Sequence, residues 1–111
     1  MTVEEALKLV QRETLESDGA YTILRLGKNP GPERIAALQQ SLMVLESGLK
    51  EKESLPRSVV EPCALILHFA DQALQNAEET GLLEEIRMHV IWTKQAAFNL
   101  LTRATSSLPE D

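Results

Sequence analysis

The chain is short of cysteine, aromatic residues, glycine, proline and positive charge, and each shortage removes a class of protein. A single cysteine, Cys63, allows no intramolecular disulfide and fits a reducing compartment. Aromatic residues are one Trp, one Tyr and two Phe, so where the Trp and the Phe residues fall is informative. Five glycines and five prolines are few and sit at breaks, and no internal repeat or low-complexity segment appears. Seventeen acids against eleven bases give a formal charge of −6. An acidic chain without a basic stripe is a poor nucleic-acid binder, because phosphate contacts supply most of that affinity. The same charge opposes docking on anionic membranes. No apolar run approaches the ~20 residues a membrane span needs. Met1-Thr2-Val3-Glu4-Glu5 lacks the basic-then-apolar order of a secretory leader, so a soluble, cytoplasmic protein is expected.

β-branched residues are sparse, while Ala, Leu, Glu and Gln are common, which favours helix. The 111 residues fit one domain, with a tail expected to fray from Ser106 to Asp111. Thr2 and Glu5 form a capping-box pattern that opens a helix over Thr2–Ser17. Val3, Leu7, Val10 and Thr14 are its seam, flanked by Ala6 and Leu9. Asp18-Gly19 breaks it. Ala20–Leu26 would pass for a strand, but nothing is there to pair with it. It is read as a short helix with Asp18 as N-cap and Gly27 as its left-handed end.

Pro32 suits the first turn of the next helix, which is expected to reach about Lys52. Its seam is Ile35, Leu38, Leu42, Leu45 and Leu49, in steps of three and four. Gly48 weakens that helix or lets a neighbour approach. A third long helix is expected to be capped by Ser58 and Glu61, with Pro62 in its first turn or at a kink. Its stripe is Cys63, Ile66, Leu67, Ala70, Leu74 and Ala77. Thr80-Gly81 turns tightly into the last helix. The expected fold is all-α: an antiparallel up-down bundle of four helices, with a possible fifth short helix at 19–26. Arg25, Lys28 and Arg34 would then lie at the same end as Glu78, Glu79, Glu84 and Glu85 and pair with them across the loops.

Motifs that carry chemistry are missing. There is no nucleophile elbow and no glycine-rich phosphate loop, so no catalytic residue is assigned. Cys63 stands near a helix start but on the core stripe, as structural cysteines do. His68 and Asp71 sit three apart, and Glu85 and His89 four apart, on polar sides of two adjacent helices. Such spacings suit a metal or small polar ligand. Di-iron bundles, however, use Glu-x-x-His motifs, and none occurs here. Four-helix phosphotransfer modules resemble this chain in size only. Their phosphorylated His is followed three and four residues on by Lys and Gly. Here His68 is followed at those places by Asp71 and Gln72, and His89 by Trp92 and Thr93. No cofactor is expected.

The strongest signal is the last helix, Leu82–Ala104, which has two apolar sides. Leu83, Ile86, Val90, Ala97, Leu101 and Ala104 make a core-facing stripe. Met88, Ile91, Trp92 and Phe98 fall on the other side, among Glu84, Arg87, Lys94 and Gln95. Either the helix is central, wrapped by the first two long helices and the 20–26 segment, or it covers another chain. The sequence therefore points first to a small helical regulator or adaptor acting by protein contact, a homodimer joined through this helix. The alternative is a bundle binding a metal or small molecule through His68, Asp71, Glu85 and His89.

Overall fold

A computed structural model describes residues 1–49, 55–81 and 83–106; for 77, 80, 83, 85 and 103–106 it describes the backbone alone. The capping box forms. The Glu5 amide donates to Thr2 Oγ1 at 3.1 Å and the Thr2 amide to Glu5 Oε1 at 3.3 Å. Helix α1 runs Val3–Leu15, ending two residues before the expected Ser17. Glu16 is extended, and its carbonyl accepts from the Gly19 amide and from Thr22 Oγ1.

Helix α2, Ala20–Arg25, is the short helix expected over this segment. Its N-cap is Gly19 rather than Asp18. A Cβ at Gly19 would lie within 2.8 Å of backbone atoms of Arg12 and Glu13, so only glycine lets α2 start this close to α1. At the other end Gly27 has φ 77°, and the Lys28 and Gly27 amides donate to the carbonyls of Ile23 and Leu24. That is a Schellman motif, which needs a left-handed residue there.

Helix α3, Pro32–Gly48, begins on its proline as expected but stops at Gly48, with Leu49 as its C-cap. The part of the expected helix at 50–52 lies outside the described residues. All five seam residues, Ile35, Leu38, Leu42, Leu45 and Leu49, are buried. A Cβ on Gly48 would collide with a methyl of Val3, so this glycine admits the start of α1.

Helix α4 spans Arg57–Thr80. It starts ahead of the expected Ser58 cap: the Val59 and Val60 amides both donate to the Pro56 carbonyl. Pro62 therefore lies inside the helix and offers no amide to the carbonyl of Ser58. Gln11 of α1 supplies the missing donor, its Nε2 lying 3.4 Å from that oxygen. Helix α5, Leu83–Ser106, includes the first residue of the expected tail; 107–111 lie outside the described residues.

The four long helices form a ring in the order α1, α3, α5, α4, and α2 leans on α1 and α4. All five share one hydrophobic core. Helices α1 and α3 run in opposite directions, with Met1 Sδ beside Ser41 at one end and Glu13 bonded to Arg34 at the other. Helices α4 and α5 form a hairpin, with Asp71 facing Lys94 across it. Helices α1 and α4 point the same way. Gln11 reaches Ser58, and Leu15, one turn on, faces Glu61, Ala64 and Leu65. Direction thus alternates along the chain but not around the ring, which differs from a bundle with antiparallel neighbours throughout. The reason is the diagonal step from α3 to α4, which puts α3 beside α5.

The α1–α3 connection and the α4–α5 turn do share one end. The ion pairs expected across it are absent among the described side chains. Arg34 instead makes a two-pronged pair with Glu13, at 2.6 and 3.1 Å, and donates to the Asp18 carbonyl. The Arg25 guanidinium lies 3.5 Å from the centre of the Phe69 ring, and Asn76 donates to the Arg25 carbonyl. The Phe69 ring for Arg25 and the buried Glu13 carboxylate for Arg34 are the partners these cations take, in place of exposed acids whose pairs are weak in water.

Candidate functional site: the outer face of α5

Helix α5 sits at a corner of the ring, packed on α3 and α4. Of α1, α3 and α2, α3 packs along it and α2 reaches it through Tyr21, while α1 lies diagonally across the core, so the helix is not enclosed on all sides as a central helix would be. Its inner side is sealed: Ile86, Val90, Thr93, Ala97 and Leu100 have no accessible surface. The outer side is open. Met88 is 52% exposed, Ile91 36%, Trp92 43% and Phe98 52%. These four lie on one face because positions three, four and seven apart recur on one side of a helix.

The expected core stripe of this helix was partly right. Ile86, Val90 and Ala97 are buried and Leu101 is packed against the core, while the side chains of Leu83 and Ala104 lie outside the described set. Thr93 was missed. It is buried because Tyr21 of α2 reaches it, with the two hydroxyl oxygens 2.8 Å apart. Thr93 donates to the Val90 carbonyl, which leaves Tyr21 as the donor between them. Burial pushes the Tyr21 phenol up to about 12, opposed by the bond to Thr93. This buried pair fixes α2 against α5.

The outer face also carries a heptad-like spacing. Glu84, Met88, Ile91, Gln95, Phe98 and Thr102, all exposed, follow one another in steps of four and three. That is a seam of the kind helices use to pair with other helices. Trp92 flanks it, with the His89 ring edge-on at 5.6 Å. Gln95 donates to Asn99 at 2.9 Å, so part of its amide is already satisfied. Arg87 and Lys94 border the other flank, and Lys94 is held by Asp71 at 3.0 Å.

The residues of the alternative reading are spread out. His68 opens onto a groove of about 530 Å³ between α1 and α4, with Leu15, Glu61, Ala64 and Leu65. Asp71 opens onto a different groove, with Leu74, Gln75, Glu78 and Arg87. His89 is half-buried, its Nδ1 without a partner. The side chain of Glu85 lies outside the described residues. Among the described residues no three His, Cys, Asp or Glu side chains gather as metal ligands would. Cys63 is buried, and burial raises its thiol to about 12, which leaves it a core residue rather than a nucleophile.

Comparison with known protein families, with curated proteins and with solved structures finds no match. Among the described residues no helix is long and apolar enough to cross a membrane.

Proposed function

We propose that this protein is a small regulator or adaptor that acts by protein contact, and that it associates with itself through the outer face of α5. The observation carrying this reading is the concentration of Met88, Ile91, Trp92 and Phe98 on one open helix face. Among the described residues the other exposed large apolar side chains are Met1, Leu15, Leu26 and Met43, one from each of four other stretches of the chain. A cytoplasmic setting agrees with the single buried thiol.

Covering this face in a dimer removes Trp92 from water, and Trp92 is the only tryptophan. Light scattering over a concentration series is therefore read together with Trp92 quenching by acrylamide. The expected result is a mass rising towards twice 12.3 kDa as quenching falls. A mass of one chain at every concentration, with Trp92 equally quenchable throughout, would overturn the reading.

A further inference from the structure

The reading of α5 as a self-association surface leaves open how two copies would meet. We infer that they pair α5 against α5 in opposite directions, Met88 against the partner's Phe98 and Trp92 against the partner's Trp92, around an axis near Thr93. This inference rests on the proposed function and adds the direction and register.

Two observations carry it. The first is the seam itself. Antiparallel helices interleave their seams so that residues four and three apart face each other in layers. Centred near Thr93, the layers are Glu84 with Thr102, Met88 with Phe98, and Ile91 with Gln95, each occurring twice. A methionine sulfur against an aromatic ring is a favourable pair. Ile91 meets the methylenes of a Gln95 whose amide already bonds Asn99. In this register Met88, Ile91 and Phe98 fall within the layers, and Trp92 lies beside them close to the axis.

The second observation is charge. The chain carries −6, yet α5 has no carboxylate between Met88 and Thr102. The central strip can therefore meet its own copy without acid facing acid. Acids gather at one end instead, where Glu78, Glu79 and Glu84 are all exposed around the α4–α5 turn. Parallel pairing would bring both copies' clusters together and set Glu84 against the partner's Glu84. Antiparallel pairing separates the clusters by the length of the helix and opposes the two helix dipoles.

The test uses the polar ends of the seam, so that the apolar contacts stay intact. Glu84→Cys and Thr102→Cys proteins are prepared separately and oxidised alone and as a mixture. Cys63 is buried and serves as the internal control, since unaltered protein should not cross-link. The expected result is a disulfide-linked dimer that forms only in the mixture and contains one chain of each variant. Efficient linking of each variant with itself would show parallel pairing and overturn this inference, while leaving self-association through α5 in place. A dimer by light scattering that links in neither experiment would place the contact on another face and overturn both. A single-chain mass at all concentrations would overturn the proposed function itself.

Discussion

Helices α3 and α5 lie side by side, point the same way, and place their apolar residues differently. On α3 the five seam residues all face inward, and Met43 is its only exposed large apolar residue. On α5 a sealed inner stripe is backed by four exposed large apolar residues on the opposite side. A helix that only stabilises a bundle needs one apolar side. The second side of α5 goes beyond that need, and the proposed contact between copies rests on this surplus.

If this division is right, substitutions should separate into those that unfold the chain and those that only separate copies. The largest effect is expected in the α3 seam. Leu42→Ala leaves a cavity in a fully buried site and should cost about 4 kcal/mol of unfolding free energy by urea titration. Alkali should come next. Burial holds Cys63 and Tyr21 protonated to about 12 in the folded chain, against ordinary values of 9.0 and 10.0. Above those ordinary values the unfolded chain binds fewer protons, so stability must fall as pH rises. The loss should be on the order of 3 kcal/mol by about pH 11, with no comparable change between about pH 7 and 8.

Arg34→Ala is expected to cost about 2 kcal/mol in the same titration, because it leaves the Glu13 carboxylate buried and unpaired. Arg34 is itself 37% exposed, so water can reach part of the vacated site and moderates the cost. Gln11→Ala should cost about 1 kcal/mol by withdrawing the donor from the Ser58 carbonyl that Pro62 leaves bare. In a Pro62→Ala background that loss should shrink, since the new backbone amide can satisfy the same oxygen. The smallest effect on folding is expected at the outer face: Phe98→Ala in dilute protein should change stability by no more than about 0.5 kcal/mol. A loss at Phe98 as large as that at Leu42 would erase the distinction between the two helices.

The α3 seam was legible because its residues repeat without interruption and every one is used inward. The capping box at Thr2 and the left-handed end at Gly27 were legible for a similar reason, since local backbone chemistry demands those residue types. Gly19 as a cap was not legible. Its requirement comes from the α1 backbone packed against it, a tertiary contact that leaves no local pattern. Thr93 was hidden because its burial depends on a tyrosine far away in sequence. The loop-to-loop ion pairs failed because proximity of opposite charges at one end does not outweigh better partners nearby, Glu13 for Arg34 and Phe69 for Arg25. The ring order could not be read from the chain either, since helix periodicity fixes which side is buried but not against which helix. On α5 both sides were legible as apolar, but only the fold shows that one of them stays open.

The most direct test of the central claim is the sedimentation-equilibrium mass of the unaltered protein and of a Phe98→Asp variant at matched concentrations. The account predicts that the unaltered protein tends towards twice the single-chain mass with concentration. The variant should remain a single chain with unchanged helicity and melting in dilute solution. Identical masses for the two proteins at every concentration would contradict it.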